Sequence, residues 1–277
     1  MKAPKRLQTL IDDGLVDEVI RQLKSGKEAD VYVVRCGSDI RCAKVYKKTE
    51  NRSFRQAVAY QEGRKVRSSR HARAMTKGSK FGRKQQEEIW QNAEIDALYL
   101  LAHAGVHVPQ PYAHLDGVLL MDLITDEAHL PAPRISDVFF TEQQALSDHE
   151  MIIQSVVRML CIGLVHGDLS EFNVLRGSAG PVIIDLPQVV NASANHHAKS
   201  ILERDVGNIT RFYGQFAPTL LNRKYAQEMW ALYSEGQLTP ETQLTGYFKE
   251  EAKTADVKTV IEEIQAVISE KKEEGRY

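Results

Sequence analysis

Two short apolar runs separated by a turn constrain the fold of this chain more than any other feature of its sequence. The runs Asn173–Arg176 and Val182–Asp185 flank Gly177–Pro181, whose glycines and proline are typical of a β-hairpin turn. If the hairpin is symmetric about the middle residue of that turn, Asn173 lies opposite Asp185. Opposed residues of antiparallel strands have Cβ atoms about 4.5–5.5 Å apart. The sequence therefore predicts that an amide and a carboxylate meet at the open end of a hairpin.

These two side chains are the predicted metal ligands. Mg²⁺, or Mn²⁺ in its place, takes few oxygen ligands from a protein and leaves its other positions to water and phosphate, which suits Asn173 and Asp185. Asp168 stands five residues before Asn173 and is expected beside the same metal. The order His166, Asp168, Asn173 has the spacing of the kinase catalytic loop H-R-D-L-x-x-x-N, in which the Asp orients the nucleophile and the Asn holds a metal. Asp185 corresponds to the Asp of D-F-G, although Leu186–Pro187 follows it.

A lysine and an acidic partner are predicted upstream of the hairpin. The run Cys42–Tyr46 resembles the kinase V-A-I-K strand, which would place Lys44 inward to meet the α and β phosphates of ATP. Glu94, on the next predicted helix, is the favoured partner, because a carboxylate on a helix holds a lysine more firmly than a carboxylate on a flexible segment. Glu87 and Glu88 are alternatives. Lys44, Glu94 and the three polar residues of the hairpin region are the candidate catalytic set.

The nucleotide is expected to lie between a turn and a hinge. Ser25–Tyr32 takes the place of the G-x-G-x-x-G loop over the phosphates, with Gly26 as its single glycine. Met121 would line the adenine pocket as a hinge residue, with the backbone at Asp122 and Ile124 meeting the base. The predicted nucleotide-binding residues are Ser25, Gly26, Lys27, Glu28, Val31, Ala43, Lys44, Met121, Asp122 and Ile124.

Apolar periodicity predicts the elements that carry these residues. Helices are expected over 7–23 with an interruption near Gly14, over 85–104 up to a stop at Gly105, over 142–162, and in parts of 200–277. Strands are expected over 29–34 and 41–46 as an antiparallel hairpin, and over 117–124 as a buried strand. The order is a small β-rich part followed by a larger helical part.

This order predicts an α+β, two-lobed protein-kinase-like fold built as a single domain over 1–277. The small β-rich N-lobe would cover about 1–121 and the helical C-lobe about 125–277. Twenty residues separate Asp185 from Asp205. Because this is too short for a long activation loop and a peptide platform, the activation and substrate-binding segments are expected to be reduced.

The charge of the chain is unevenly distributed. Its formal net charge is −1, yet residues 47–84 hold 13 Lys and Arg against 2 Glu, a net +11, which leaves −12 for the remainder. A basic, flexible insert on an acidic body indicates a polyanionic partner, with RNA foremost. The insert holds few aromatic residues, which favours contact with phosphates over base stacking.

Cysteine usage and hydropathy indicate the compartment. Three cysteines fit neither a disulfide framework nor a zinc spacing, which favours a reducing compartment and a cytoplasmic location. The sequence shows no signal-peptide pattern and no apolar run of about 18–20 residues, so no membrane contact is expected.

Five segments together resemble the RIO family of atypical serine/threonine protein kinases, over roughly 14–213. Their sequences are SGKEADVY from Ser25, AKVYK from Ala43, VPQP from Val108, LVHGDLSEFN from Leu164 and IID from Ile183. The SEFN form of the catalytic loop is the most specific of them. Without a winged-helix region before the kinase part, the chain is similar to the first RIO subgroup.

The resemblance implies a set of functional expectations. Members of the family bind ATP with Mg²⁺, autophosphorylate on serine, and in several cases act as ATPases that pass the phosphoryl group to the metal-binding aspartate, here Asp185. Asp205 would be the buried aspartate that braces the catalytic loop. Family roles in maturation of the small ribosomal subunit imply ribosomal RNA or a pre-ribosomal particle as a partner, through the insert 47–84.

Two alternatives remain open from the sequence. One is a small-molecule kinase of the aminoglycoside or choline phosphotransferase type, which shares an H-G-D-x-x-x-x-N loop; Gly167 fits that group, whereas Ser170–Phe172 and Asp185–Pro187 fit it poorly. The other is a nucleotide-regulated RNA-binding protein with little multiple turnover.

Overall fold

The structure, a computed structural model, describes residues 4–47 and 80–249, with the backbone alone for 80–91. The described residues up to Tyr247 belong to one compact unit. Most of the basic insert and the predicted helices beyond residue 249 lie outside the described residues, so those predictions and the single-domain boundaries stay predictions. Among the described residues, none of the helices combines the length and apolarity needed to cross a membrane.

The N-terminal part is a five-stranded antiparallel sheet. Its strands in chain order are β1 Glu18–Ser25, β2 Ala29–Cys36, β3 Asp39–Tyr46, β4 Pro111–Leu115 and β5 Val118–Asp122. They lie in the order β1-β2-β3-β5-β4. The predicted hairpin is confirmed, because β2 and β3 pair from Ala29 opposite Tyr46 to Cys36 opposite Asp39. The buried strand predicted before the hinge is confirmed as β5.

A short helix, α1 Lys5–Asp12, covers one face of this sheet. Leu7 and Leu10 are fully buried there, in an apolar cluster with side chains of β1, β2, β3 and β5. The prediction that the helix resumes and reaches residue 23 is wrong. Gly14, with a φ of 71°, ends the helical path, and the following residues form β1. In β1, Val19 pairs with Val34 and its side chain is buried in the sheet. The stabilisation from this pairing is larger than the helix preference that the spacing of the apolar residues indicates.

The helix α2, Lys80–His103, connects β3 to β4 in the chain and begins five residues before its predicted start. Ile95, Leu98 and Leu101 are buried in the main core. The helix stops before Gly105, whose φ of 71° no helix can continue, as the sequence predicts.

The remaining described residues form the helical part. Its helices are α3 Glu142–Cys161, α4 Ala198–Tyr213 and α5 Tyr225–Ser234, with 3₁₀ turns at Ile135–Asp137 and Pro218–Asn222. Its strands are β6 Leu164–Val165, β7 Val174–Gly177, β8 Gly180–Ile183 and β9 Val190–Asn191. The predicted helix over 142–162 is confirmed as α3, which begins with a capping box formed by Thr141 and Gln144.

The architecture is therefore α+β, with a β-rich lobe followed by a helical lobe, as in protein kinases. Residues 186–197, which connect Asp185 to α4, contain one strand of two residues, β9. Among the described residues, this leaves no space for a long activation loop at that position.

Candidate active site

Lys44 lies at the centre of a buried ionic network. Its Nζ is 2.5 Å from Oε1 of Glu94 and 3.2 Å from Oδ1 of Asp185. The hydroxyl of Tyr46 donates to Oε2 of Glu94 at 3.0 Å. Burial lowers the pKa of Lys44, but the charge of Glu94, followed by Tyr46 and Asp185, outweighs burial, so the pKa is raised and the ammonium stays charged. The sequence predicted Lys44 and Glu94 as partners; it did not identify Tyr46.

Strand alternation decides which residues of β3 face this network. Lys44 and Tyr46 project to one face, whereas Ala43 is fully buried in the cluster under α1 on the other face. The predicted nucleotide contact at Ala43 therefore cannot be made by its side chain. Cys42, which is on the Lys44 face and pairs with Met121 of β5, takes its place as a candidate. The A-x-K spacing of V-A-I-K, counted back from Lys44, would have identified Cys42.

Asp168 and Asn173 are in direct contact. The Asn173 amide nitrogen donates to the backbone oxygen of Asp168 at 2.8 Å and to its carboxylate Oδ2 at 3.2 Å. This leaves the amide oxygen as the atom that a metal would take. Burial raises the pKa of Asp168; Arg204 and the amide of Asn173 oppose the rise, and Asp185 adds to it. Asp185 is therefore close enough to Asp168 to raise the pKa of the Asp168 carboxyl.

The hairpin after Asn173 is one residue tighter than predicted. β7 and β8 pair Val174 with Ile183 and Gly177 with Gly180, so the turn holds two residues. In this register Ile184, whose N–H donates to the Asn173 oxygen at 2.9 Å, lies opposite Asn173. The prediction that Asp185 lies directly opposite Asn173 is wrong by one position. Asp185 follows the end of the ladder at a φ of 66° and turns its carboxylate to Lys44 instead.

A buried histidine joins the catalytic loop to the hairpin. The N–H of Asp168 donates to Nδ1 of His166 at 3.2 Å, so the proton sits on Nε2, which is 3.2 Å from the backbone oxygen of Ile184. Burial lowers the pKa of His166 to about 4, which keeps the ring neutral at neutral pH. These bonds give His166 a structural role, because it connects the catalytic loop to the end of the hairpin.

The peptide of Gly167 is held from both sides by α4. Its N–H donates to Oδ2 of Asp205 at 2.7 Å, and its oxygen accepts from Arg204. Arg204 also pairs with Asp205 at 3.0 Å. Burial raises the pKa of Asp205 to about 6, against the lowering effect of Arg204. Asp205 thus braces the catalytic loop, as the family resemblance implied.

The turn predicted over the phosphates is pinned by a lysine at its base. Ser25 donates to Oδ1 of Asp30 at 2.6 Å, and Lys47 donates to the oxygen of Gly26 at 2.8 Å. Lys47 also pairs with Asp30 at 2.9 Å. The sequence grouped Lys47 with the basic insert, because nothing in its local pattern separates it from the cations that follow. In the structure it fixes the turn. Lys27 of the same turn is exposed.

Two backbone groups of the predicted hinge, at Asp122 and Ile124, already form hydrogen bonds within the protein. The N–H of Asp122 donates to the oxygen of Gln110 at 3.0 Å, and the oxygen of Ile124 accepts from Ala132 at 2.9 Å. A base contact at these positions would therefore use the C=O of Asp122 or the N–H of Ile124. Met121 is half-buried against the main core.

The donor set fits Mg²⁺ or Mn²⁺. Asp185 would supply a carboxylate oxygen and Asn173 an amide oxygen, which hard divalent cations prefer, and Asp168 lies beside Asn173. Among the described residues, no cluster of three or more His, Cys, Asp or Glu could hold a metal ion.

Comparison with known proteins identifies the family of the chain. Residues 30–226 match the family model described as the RIO domain. The RIO-type serine/threonine-protein kinase Rio1 of Haloferax volcanii is 33% identical over 209 residues, which cover 74% of this chain and 66% of that protein. The human serine/threonine-protein kinase RIO1 is 28% identical over 234 residues, which cover 84% of this chain and 39% of that protein. The chain thus spans less than two thirds of the length of these relatives. A crystal structure of a kinase domain aligns over 72% of this chain and 63% of that chain at 13% identity, with a TM-score of 0.39, too low to support any inference.

Proposed function

Because this chain belongs to the RIO family, whose domain model matches most of it, we propose that it is an ATP-dependent phosphotransferase that acts as a serine/threonine protein kinase. The observation that carries the proposal is the contact of Lys44 with both Glu94 and Asp185. One cation thereby connects the sheet, α2 and the segment after the hairpin, at the place where a nucleotide would lie between the lobes. The RIO match also favours this function over a small-molecule kinase.

In the proposed reaction, Lys44 binds the α and β phosphates and is kept in place by Glu94. Asp168 accepts or orients the proton of the acceptor hydroxyl. The raised pKa of Asp168 makes it a better proton acceptor than an exposed aspartate. Asn173 and Asp185 would hold Mg²⁺ or Mn²⁺, which neutralises charge on the phosphates when bound. Catalysis rests on alignment and charge neutralisation, so the protein needs no strong nucleophile.

The proposed acceptor of the phosphoryl group is a serine of the chain itself. An ATPase variant of the same chemistry would pass the phosphoryl group to Asp185, whose carboxylate is about half exposed and so open to the cleft. The two outcomes differ chemically, because hydroxylamine cleaves an acyl phosphate at Asp185 to a hydroxamate and free phosphate, whereas a phosphoserine does not react with it.

The test is incubation with γ-labelled ATP and Mg²⁺. We expect label on the protein, and a loss of at least about 100-fold in Asp168→Asn, which keeps the size of the side chain but removes its basicity. Asp137→Asn, an exposed aspartate of the 3₁₀ turn, is the matched control and should keep the wild-type rate. Equal labelling of Asp168→Asn and wild type would refute the proposal, and hydroxylamine treatment of the labelled protein separates phosphoserine, which keeps the label, from phosphoaspartate, which loses it.

The proposed partners include ribosomal RNA or a pre-ribosomal particle, which the basic insert would contact through phosphates. A reducing location such as the cytoplasm is also proposed, since Cys36, Cys42 and Cys161 are all free thiols.

A further inference from the structure

The hairpin of β7 and β8 carries both proposed metal ligands at its open end. Asn173 directly precedes β7, and Asp185 stands two residues after β8. The two strands pair along their whole length, and the N–H of Ile184 continues the ladder by donating to the oxygen of Asn173 at 2.9 Å. Because the ladder is continuous, a contact at the closed end of the hairpin also influences where the open end lies.

Near its closed end, the hairpin forms an ion pair with α3. The Nε of Arg176 is 2.7 Å from Oδ2 of Asp148, whose side chain is 3% exposed. That oxygen has no hydrogen-bond partner in the described part of the chain, so the contact is held by the attraction of the two charges. Removal of the arginine alone would leave Asp148 buried without a counter-charge.

The ion pair connects the hairpin to a more rigid element than its backbone contacts do. The N–H of Arg176 donates to the oxygen of Pro133 at 2.8 Å, and the N–H of Ser178 donates to the oxygen of Thr125 at 2.9 Å. Both acceptors belong to the connection 123–134, which contains only isolated bridges. Asp148 instead belongs to a helix of 20 residues that packs in the main core. The position of the hairpin relative to the core is therefore set at this pair.

We infer that the ion pair between Asp148 and Arg176 is a positioning contact, which fixes the hairpin where its two metal ligands can bind the same ion. The inference rests on the proposed function and adds two residues to it, both of which act through the hairpin. A buried ion pair favours one arrangement of its partners, whereas an apolar contact is non-directional and allows several. Loss of the pair therefore weakens metal binding even where the fold stays stable.

The test replaces the ion pair with apolar residues, in the double variant Asp148→Val with Arg176→Met, because this replacement avoids the unpaired buried charge that a single change leaves. Calorimetry measures the affinity for a non-hydrolysable ATP analogue with Mg²⁺ and with EDTA. The ratio of the two affinities gives the contribution of the metal. It should fall about three- to tenfold in the double variant, while the affinity in EDTA changes less than about twofold.

Two more variants complete the test. Glu18→Val with Arg35→Met is the matched control, because it removes an ion pair of 3.4 Å between β1 and β2, away from the hairpin, and should keep the wild-type ratio. Asp148→Asn removes the charge and keeps the shape of the side chain, so it decides the question if the double variant does not fold. We expect its ratio to fall at least about twofold. Urea unfolding shows which variants are folded.

The possible results separate two failures. If wild type binds the analogue in neither condition, or no better with Mg²⁺ than with EDTA, the proposed function itself is wrong. If Mg²⁺ strengthens binding to wild type and the folded variants of Asp148 keep the same ratio, the pair does not position the metal ligands. The inference is also overturned if affinity falls equally with Mg²⁺ and with EDTA, or if the control variant loses as much of the ratio as the double variant.

Discussion

At the scale of single residues, Tyr46 decides how firmly Glu94 is held. Glu94 is buried, and its two oxygens are taken by Lys44 and by the Tyr46 hydroxyl. A buried carboxylate oxygen that loses its donor costs about 1–3 kcal/mol, so it will seek another partner and change its position. Tyr46 is therefore a positioning residue that acts on Lys44 through Glu94.

We predict that Tyr46→Phe lowers kcat/KM for ATP roughly tenfold, since Lys44 is then held at one point less. The ring stays in place, so the core is preserved. Tyr32→Phe is the control, because Tyr32 is also buried but faces α1 on the other side of the sheet. Steady-state kinetics with varied ATP checks the prediction. If Tyr46→Phe and Tyr32→Phe lower kcat/KM to the same extent, the hydroxyl of Tyr46 has no role in positioning.

A second residue-scale prediction concerns acid stability. Burial lowers the pKa of His149 from 6.5 to about 4, and its Nε2 is 3.0 Å from the Thr210 hydroxyl. The folded pKa is below the unfolded value, so between pH 6.5 and 4 the unfolded state binds more protons. The contribution of His149 to stability is therefore complete above pH 6.5 and is lost as the pH falls towards 4, at up to about 1.4 kcal/mol per pH unit.

His149→Gln keeps a hydrogen-bonding group towards Thr210 but does not titrate. Its stability, measured by urea unfolding at several pH values, should fall less steeply than that of wild type between pH 6.5 and 4. Subtracting the two curves cancels the contributions of other groups, including His166 and Asp205. Parallel curves for the two proteins would show that His149 does not stay neutral in the folded state.

At the scale of elements, the catalytic loop depends on a glycine. Gly167 has a φ of 87°, and a Cβ built on it would lie 2.2 Å from the backbone oxygen of Gln188. The loop and the segment after Asp185 therefore approach each other as closely as backbone atoms allow. An added methyl group must push apart the two segments that present Asp168 and Asp185.

We predict that Gly167→Ala costs on the order of 2–4 kcal/mol of stability and abolishes phosphoryl transfer. Gly37→Ala is the matched control: its φ of 62° is equally left-handed, but no atom of the described residues lies within 4 Å of the added Cβ. It should cost about 1 kcal/mol and leave activity unchanged. Urea unfolding and labelling with ATP check both variants. The close approach would be unimportant if the two alanine variants had the same stability and activity.

Elements with strong local signals could be predicted from the sequence, and their exact register could not. The β2–β3 hairpin and α3 follow from the pattern of apolar residues, and α2 follows from apolar periodicity together with the stop at Gly105. Strand β1 was missed because its apolar residues also fit a helix, and only pairing with β2 decides between the two. Likewise, a shift of one residue in the hairpin register places Ile184, and not Asp185, opposite Asn173. Strand alternation makes Cys42, and not Ala43, the candidate nucleotide contact on β3.

At the scale of the whole molecule, the predicted site is assembled from four separate elements. Lys44 comes from β3, Glu94 from α2, Asp168 from the loop after β6, and Asp185 from the segment after β8. Motif spacing identified Lys44, Asp168 and Asp185, because each of those motifs is local, whereas Glu94 was predicted as a partner carried by the next helix, with Glu87 and Glu88 as alternatives. The sequence could not identify Tyr46, because its role depends on the contact of its hydroxyl with Glu94.

The separation of charge along the chain leads to a prediction for the whole molecule. Residues 47–84 carry a net +11 on a remainder of −12, so an RNA phosphate backbone is attracted to the insert and repelled by much of the remaining surface. We predict that replacing Arg64, Arg67, Arg70 and Arg73 with Gln weakens binding to single-stranded RNA. It should also reduce the slope of log K against log salt by about 0.7 for each phosphate that the variant no longer neutralises.

Lys47 is left unchanged in this variant, because it fixes the turn over the phosphates, and so nucleotide binding should be preserved. The control variant also loses four positive charges, but at described residues outside the insert, namely Lys5, Arg21, Lys199 and Arg211. Long-range electrostatic attraction alone would make the two variants lose the same RNA affinity. If the insert binds RNA directly, the insert variant loses more affinity than the control, and its slope of log K against log salt falls further. Equal effects of the two variants, measured by fluorescence anisotropy over a range of salt concentrations, would show that net charge and not the insert governs RNA binding.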